Sequence, residues 1–235
     1  MKGMILAAGL GSRLRPLTDT MPKALVVVNG KTLLEHSIEH LKCYGVDEII
    51  VNVHHFAGQV IDYLNKNNNF GIHIGISDET AELLDTGGGL KKAASFFDDG
   101  KPFFLRNVDI LSGMDLAKMM DVHLETASLG TLAVKKRATS RYFLFDNDQK
   151  LCGWLNESTG ERVTVSGEQQ DLQKAAFSGI QVLDPRIFPL ITETGKFSLT
   201  GMYLRLAREN RITGFPDEEA FWEDAGKKIP EGYFF

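Results

Sequence analysis

An apolar run that passes directly into a glycine-rich loop is the feature that most constrains this chain. Residues 3–8 have the sequence GMILAA, and Gly9 and Gly11 follow without a spacer. A short, nearly all-apolar run is typical of a parallel strand that is covered on both faces. Glycines after such a strand let backbone N–H groups approach phosphate oxygens, because no Cβ blocks the way. The sequence therefore begins with a predicted buried strand and a loop suited to phosphate.

Strand-like and helix-like segments alternate along the first half of the chain. Apolar positions recur at helical spacing from Thr32 to Tyr44, and Glu48 to Val53 is strand-like. The alternation continues through an amphipathic stretch at 59–64, strands at 71–76 and 102–105, and a helix at 114–125. Shorter strand-like pieces follow at 129–135, 142–145 and 177–183. We expect a mostly parallel α/β sheet in a single domain, 1–235, with halves 1–126 and 127–235.

Charge and cysteine content narrow the possible function classes. The formal net charge is −5, the pI is near 5.7, and lysines and arginines are scattered, which argues against nucleic-acid binding. Cys43 and Cys152 lie far apart without a CxxC motif, so neither a disulfide framework nor a zinc site is indicated. The apolar run at 3–8 is too short to span a membrane. We expect a cytoplasmic protein that acts on small molecules.

The segment from Gly9 to Leu25 combines glycines with two cations. Arg13 and Lys23 can supply the positive charge that a bound triphosphate needs. The G-x-G spacing by itself favours an ordinary strand-to-helix turn. Two common nucleotide motifs are also absent. Leu14 stands where the dinucleotide fingerprint has its third glycine, and no lysine closes the loop as in a P-loop.

Taken whole, this segment resembles the signature of the sugar-1-phosphate nucleotidyltransferase family. The signature runs LAAGxG(S/T)R(L/M), then PLT, then PK(A/P)L, and every element occurs here in order from Leu6 to Leu25. The resemblance implies a Rossmann-like, three-layer α/β/α fold of the nucleotide-diphospho-sugar transferase type, with nucleotide in the first half and sugar in the second. It implies catalytic roles for Arg13 and Lys23, which neutralise the reacting phosphates. The implied nucleotide contacts in this segment are Leu6, Ala8, Gly9, Gly11, Ser12, Arg13 and Lys23.

Two distant aspartates are the predicted metal ligands. An aspartate after a strand is ordinarily a turn or cap residue. In the family resemblance, Asp109 occupies the position of the Asn-Gly-Asp ligand, and Asp224 resembles the ligand of the Trp-x-Asp motif. The resemblance implies Mg²⁺ or Mn²⁺ at these aspartates, with Asn107 beside the metal at the nucleotide ribose or the sugar. Glu223 adjoins Asp224 and is easily mistaken for it.

Two residues before Asp109 depart from the family pattern. Val108 replaces the usual glycine, so we expect a branched side chain where backbone and ligand come close. Arg106 stands where the family usually has an apolar residue. We expect these departures to alter substrate preference.

The segment from Leu84 to Gly89 is similar to the LETGGG stretch of family members that act on muramate and mannose 1-phosphates. In those members it lines the nucleoside and sugar site, which implies nucleotide contacts by Thr86, Gly87 and Gly88 and a sugar contact by Asp85. We also expect Thr86 to cap a helix. A flexible loop tip is the alternative interpretation of the three glycines.

Weaker candidates lie in other segments. The stretch 177–180 resembles the family's FSGI strand, which implies that Ser178 and Gly179 leave room for the sugar. Arg141 is expected at the sugar phosphate on its charge alone. Asn52 ends a predicted strand and is a candidate for the base, as are the histidines that follow it, although a structural role is the commoner one.

The function implied is in-line transfer of a nucleotidyl group from an NTP, most readily UTP or GTP, to a sugar 1-phosphate, with release of pyrophosphate. Such a product would serve cell-envelope polysaccharide synthesis, and we expect a monomer or a homodimer. We expect no left-handed β-helix of the kind that some family members carry, and therefore no acetyltransferase activity. A choline-phosphate cytidylyltransferase and a non-catalytic nucleotide-sensing module are the alternatives; no aromatic cage for choline is evident.

Overall fold

The protein consists of alternating strands and helices in its first half and mainly of strands in its second half. The computed structural model describes residues 1–166 and 172–226. Within these ranges the helices are α1 (Leu33–Cys43), α2 (Ala57–Lys66), α3 (Asp85–Lys92), α4 (Leu116–Glu125) and α5 (Leu199–Leu206). The strands are β1 (Lys2–Leu6), β2 (Val27–Val28), β3 (Lys31–Thr32), β4 (Glu48–Val53), β5 (His73–Asp78), β6 (Phe103–Asn107), β7 (Ile110–Ser112), β8 (Gly130–Lys135), β9 (Arg141–Phe145), β10 (Leu151–Asn156), β11 (Glu161–Thr164), β12 (Gln173–Leu183), β13 (Ile212–Pro216) and β14 (Trp222–Asp224).

One mixed sheet runs through both halves of the chain. Strands β6, β1, β4 and β5 are neighbours in this order and run parallel, so their carboxyl ends meet at one edge. Strand β12 pairs antiparallel with β6 and carries the sheet into the second half, where it also pairs with β8 and β9. Separately, β14 pairs with β7 in a small antiparallel ribbon. The predicted domain extends to Phe235, and residues 227–235 lie outside the described residues.

Alternate side chains of the parallel strands enter two hydrophobic cores. Ile5 packs in the core that α1, α2 and α4 cover, whereas Met4 and Leu6 pack in the core that α3 and α5 cover. Phe104 and Phe103 divide between the same two cores. Because successive residues of a strand point to opposite faces, helices must cover both sides of the sheet. The expected three-layer α/β/α arrangement is confirmed.

The elements of the first half with strong periodicity were predicted closely, whereas most of the elements that the prediction missed lie in the second half. Strand β4 has the expected bounds, and α1 begins where Thr32 Oγ1 accepts a hydrogen bond from Glu35 N at 3.0 Å. The sequence analysis assigned no element to α5, β2, β3, β7, β10, β11, β13 or β14. Strand β11 lies in a polar stretch, and its pairing with β10 provides the order that its own sequence does not signal. None of the helices in the described ranges is both long and apolar enough to cross a membrane.

Candidate active site

A cavity of about 360 Å³ lies at the carboxyl ends of the parallel strands. Strands β1 and β6 end at the cavity. Strand β4 contributes Asn52, its second-to-last residue, and Glu79 follows β5 directly. This edge of a parallel sheet is where α/β proteins bind ligands. The lining residues are Leu6, Ala8, Gly9, Arg13, Lys23, Asn52, Glu79, Leu83, Asp85, Thr86, Asn107, Asp109 and Lys196.

Most of this lining was predicted from the sequence, but three of its residues were missed. Glu79 carries a usable signal, because it is a charged residue directly after a strand of the same edge. Lys196 carries none, since it comes from a loop of the second half that packs beside α3. Leu83 precedes the glycine segment, and nothing in its local sequence distinguishes it from other apolar residues.

The glycine loop owes its shape to the PLT motif that follows it. Gly11 has a φ of 65°, in the left-handed region that favours glycine. A Cβ at Gly11 would lie 2.8 Å from Thr18 Cγ2, and Thr18 Oγ1 donates a hydrogen bond to Gly11 O at 2.9 Å. Gly9 and Arg13 line the cavity, whereas Gly11 and Ser12 lie outside its lining. Gly11 therefore acts on the cavity through the loop conformation.

A buried ion pair joins this loop region to the end of β6. Lys23 Nζ donates to Asp109 Oδ2 at 2.8 Å, and the side chains of the two residues are only 13% and 7% exposed. The two residues lie 86 positions apart in the sequence. At this depth each charge needs its partner, because an isolated buried charge would be strongly destabilising.

The second predicted aspartate faces the first. Arg13 Nη1 lies 3.8 Å from Asp224 Oδ2. The backbone N–H of Ala225 donates to Asp109 O at 3.0 Å, so β14 is fastened beside the Asp109 turn. A Cβ built on Gly226 would lie 2.2 Å from Asp109 Oδ2 and 3.1 Å from Asp224 Oδ1. Oxygens of both carboxylates therefore border one small space that only a glycine leaves open.

The donor set of this space fits a magnesium-like cation that a substrate helps to bind. Mg²⁺ prefers oxygen ligands and is commonly held by one or two carboxylates together with substrate phosphates. Asp109 and Asp224 supply two such carboxylates side by side. Within the described residues, no group of three or more His, Cys, Asp or Glu side chains is arranged to hold a metal ion alone. In this site the chain would supply two aspartates, and phosphate oxygens of a substrate would complete the coordination.

A buried arginine supports the turn that carries Asp109. Arg106 is 1% exposed, and its guanidinium donates to Ile110 O and, through Nη1, to His40 Nδ1 at 2.8 Å. His40 Nε2 in turn donates to Met114 O at 2.9 Å. Because a guanidinium has no acceptor, the imidazole must be neutral with its proton on Nε2. Burial lowers the pKa of His40 to about 4, with Arg106 contributing.

Val108 does not crowd the cavity, contrary to our expectation. Its side chain is fully buried in the core on the α1 side, and it is absent from the cavity lining. Neighbouring residues of an extended segment alternate in direction, so Asn107 and Asp109 face the cavity while Val108 faces away. The departure from glycine therefore changes the packing beneath the site and leaves the ligand space unchanged.

Asn52 and Glu79 connect the start of the glycine loop with the segment before α3. Asn52 Oδ1 accepts hydrogen bonds from Ala7 N at 2.6 Å and Ala8 N at 3.3 Å, and its Nδ2 donates to Glu79 Oε1 at 2.8 Å. Glu79 is 0% exposed, and its Oε2 accepts from Leu84 N at 3.0 Å. This chain of hydrogen bonds fixes the start of the glycine loop relative to the segment before α3.

Two residues of the triple-glycine segment serve packing. A Cβ on Gly87 would lie 2.4 Å from the Phe197 ring, and one on Gly88 would lie 2.6 Å from Gly195 O. Both are buried and lie outside the cavity lining, so their predicted nucleotide contacts are not brought to the cavity. Thr86 lines the cavity but is not a helix cap, because α3 begins at Asp85 and Thr86 Oγ1 accepts from the Leu199 backbone.

The predicted sugar residues divide into three positions. Asp85 lines the cavity. Gly179 lies against its wall, since a Cβ there would be 3.1 Å from Asn107 Nδ2, and the neighbouring Ser178 is buried with its carbonyl accepting from Trp222 Nε1 at 2.8 Å. Arg141 is exposed at the start of β9, in the outer part of the sheet, and lies outside the cavity lining.

A glycine loop with two nearby cations, beside paired carboxylates at the carboxyl edge of a parallel sheet, is typical of phosphoryl- and nucleotidyl-transfer enzymes of the α/β class. The sequence model of a nucleotidyl transferase family matches residues 2–228. An N-acetylmuramate alpha-1-phosphate uridylyltransferase of Caulobacter vibrioides is 32% identical, over 95% of this chain and 90% of that protein. A mannose-1-phosphate guanyltransferase of Kluyveromyces lactis is 31% identical, over 97% of this chain but 62% of its own length.

The structural comparison agrees with the sequence comparison. HddC of Yersinia pseudotuberculosis, solved in complex with GMP-PN, superposes with a TM-score of 0.77 at 25% identity, covering 99% of this chain and 96% of that one. A UDP-glucose pyrophosphorylase in complex with UDP-glucose has the same fold, with a TM-score of 0.76 over 96% of this chain and 93% of that one. The chain belongs to the sugar-1-phosphate nucleotidyltransferase family, and the predicted Rossmann-like fold of that family is confirmed.

Replacing Asn52 with alanine should weaken nucleotide binding. The change removes the acceptor of the Ala7 and Ala8 amides and the donor to Glu79. Holding the loop in its binding conformation with these groups unpaired costs about 1–3 kcal/mol, so we expect NTP affinity to fall about 5- to 150-fold. Calorimetric titration with UTP and GTP measures the change. Asn147→Ala, in an exposed turn, is the control, and equal affinities of the two variants would contradict the prediction.

Acidification should destabilise the protein through His40. Unfolded His40 binds a proton below its ordinary pKa of 6.5, whereas the folded residue does so only near pH 4. The stability that depends on neutral His40 is therefore fully present above pH 6.5, and it is lost as the pH falls from 6.5 toward 4. Between pH 7 and 5 the free energy of unfolding should fall by about 2 kcal/mol more in the wild type than in His40→Gln. Denaturant unfolding at both pH values tests this, and parallel pH slopes would count against it.

Proposed function

We propose that this protein transfers a nucleotidyl group from UTP or GTP to a sugar 1-phosphate, releases pyrophosphate, and requires Mg²⁺ or Mn²⁺ bound by Asp109 and Asp224. The observation that carries the proposal is the meeting of Lys23, Asp109 and Asp224 beside the glycine loop. Three charged residues from distant parts of the chain converge where the parallel strands end. Such convergence of buried charge is costly without a ligand that uses it.

The chemistry that these residues support is a direct displacement. An oxygen of the sugar 1-phosphate attacks the α-phosphorus of the NTP, and the bond to the leaving pyrophosphate breaks. Lys23 and Arg13 line the cavity and would neutralise the phosphates of a bound NTP, and Asn52 accepts the hydrogen bond of the Ala7 amide just before the loop. A divalent cation would be held by Asp109 and Asp224 and would neutralise phosphate charge during the transfer. The reaction needs no covalent enzyme intermediate.

The donor and the acceptor are proposed from the relatives. The two enzymes named above act, by their names, on N-acetylmuramate and mannose 1-phosphates, and HddC was solved in complex with GMP-PN. They give no support to the choline-phosphate or the nucleotide-sensing alternative. We place the activity in the cytoplasm, where the NDP-sugar would be available for cell-envelope polysaccharide synthesis.

A grid assay tests the proposal. Pyrophosphate release would be measured with Mg²⁺ for UTP, GTP, CTP, ATP and dTTP, each combined with muramate, mannose, glucose and heptose 1-phosphates and with choline phosphate. We expect pyrophosphate release from a combination of UTP or GTP with a sugar 1-phosphate. EDTA should abolish this release, and addition of Mg²⁺ or Mn²⁺ should restore it. Release that survives EDTA would overturn the metal requirement. Binding of an NTP without pyrophosphate release from any combination would favour the nucleotide-sensing module.

Adjacent carboxylates in β14 provide a matched pair for the metal site. Asp224 faces Arg13 and the Asp109 space, whereas the side chain of Glu223 points to the opposite side of the strand. We expect Asp224→Asn and Asp109→Asn to lower kcat by about 100-fold or more, because each removes charge that the transition state needs. Glu223→Gln should keep kcat within about threefold of the wild type.

Steady-state kinetics at saturating substrates, with thermal unfolding as the check on folding, distinguish these variants. If Glu223→Gln lost as much activity as Asp224→Asn while both stayed folded, Glu223 would be the ligand and our assignment of Asp224 would be wrong.

A further inference from the structure

A second arginine, Arg137, is held rigidly next to the strand that carries Asp224. It follows the end of β8 and is half-buried. Its guanidinium lies over the Trp222 ring, 4.2 Å from the centroid, and its Nη2 donates to Phe177 O at 2.8 Å. The Trp222 indole is itself fixed by its hydrogen bond to Ser178 O. Stacking on an aromatic ring and a carbonyl contact restrict the orientation of this long side chain.

The hydrogen-bonding capacity of Arg137 is only partly used. Its Nε is buried and has no hydrogen-bond partner among the described residues. Burial lowers the pKa of Arg137, while the negative charge of Asp224 acts in the opposite direction. The guanidinium still carries its full charge, because arginine is not deprotonated in the accessible pH range. A rigid cation with an unsatisfied donor is suited to an anionic ligand.

An open cavity of about 440 Å³ lies at Arg137. Its other lining residues are Lys136, Ala138, Tyr142 and Lys174. Lys174 Nζ is paired with Glu157 at 2.6 Å, and the Lys136 backbone is bound by the Glu218 carboxylate. Glu157 and Glu218 thus offset the charges of the two lysines, and the Arg137 guanidinium is the positive charge that remains at the cavity.

The position of Arg137 relative to Arg13 follows from β14. Residues two apart in a strand share one face, so Trp222 and Asp224 lie on the same side. Arg13 lies at the Asp224 end of that face, close to Asp109 and the glycine loop, whereas Arg137 lies at the Trp222 end. Strand β14 pairs with β7 so that Asp224 is opposite Ile110 and Trp222 is opposite Ser112, which is farther from Asp109.

An in-line displacement places the entering and leaving oxygens on opposite sides of the phosphorus, and both carry negative charge. Arg13 belongs to the loop that suits the leaving pyrophosphate. We propose that Arg137 binds the phosphate of the incoming sugar 1-phosphate, with its guanidinium reaching that group from the Trp222 end of β14. This assignment rests on the proposed transferase function, and it gives Arg137 the role that charge alone suggested for Arg141.

Arg137 and Arg141 form a matched test pair, because Arg137 lines the cavity beside β14 and Arg141 is not among the lining residues of that cavity. We expect Arg137→Gln to raise KM for the sugar 1-phosphate about 10- to 100-fold, the effect of losing a charged hydrogen bond, and to leave KM for the NTP within about threefold. Arg137→Lys keeps the charge without the planar fork and should give an intermediate acceptor KM. Arg141→Gln should match the wild type in both KM values.

Calorimetric titration adds readouts that do not need turnover. NTP binding without acceptor reports an intact nucleotide site in each variant, and binding of the sugar 1-phosphate reports the acceptor site directly. If Arg137→Gln fails to fold or to bind NTP, the comparison is made with Arg137→Lys. A wild type that is active, together with Arg137 variants whose acceptor KM and affinity equal those of Arg141→Gln, would overturn the assignment alone. A wild type that binds neither NTP nor sugar 1-phosphate would overturn the proposed function and this assignment with it.

Discussion

The buried ion pair between Lys23 and Asp109 is the interaction on which the rest of the site depends. It joins the segment after the glycine loop to the end of β6 with a 2.8 Å hydrogen bond at a place almost closed to water. In such surroundings, loss of either partner would leave an uncompensated charge, so both chain segments are held in one relative position. The Ala225 amide then fastens β14 to the Asp109 backbone, which places Asp224 in the same space.

Two buried polar networks hold the ion pair in place from different sides. Asn52 and Glu79 fix the backbone where β1 passes into the glycine loop, and Arg106 with His40 fixes the turn after β6. Buried groups of this kind are stabilising only when their hydrogen bonds are made, so each network accepts few alternative geometries. The charged side chains of the site therefore lie on strand ends and turns whose positions the core and these networks determine together.

The second half of the chain supplies the other wall of the site through long-range pairing. Strand β12 lies next to β6 and brings Gly179 against Asn107, and β14 brings Trp222 beneath Arg137. The same half contributes the segment at 195–197, in which the Phe197 carbonyl accepts from the Gly87 and Gly88 amides and Lys196 reaches the cavity. Glycines in α3 thus allow two parts of the chain to pack closely, which indirectly sets the width of the cavity.

The sequence by itself determined the class of fold and the presence of the glycine loop, and it predicted Arg13, Lys23, Asp109 and Asp224 as residues of one site. Apolar periodicity reports burial locally, and the order of the motif from Leu6 to Leu25 is readable without distances. Only the tertiary structure decided which polar residues meet. It turned Val108 into the core, left Arg141 outside the cavity, and brought in Glu79, Lys196 and Arg137. The physical reason is that side-chain convergence depends on strand pairing and on which face each residue takes, and these are set by contacts between segments far apart in the sequence.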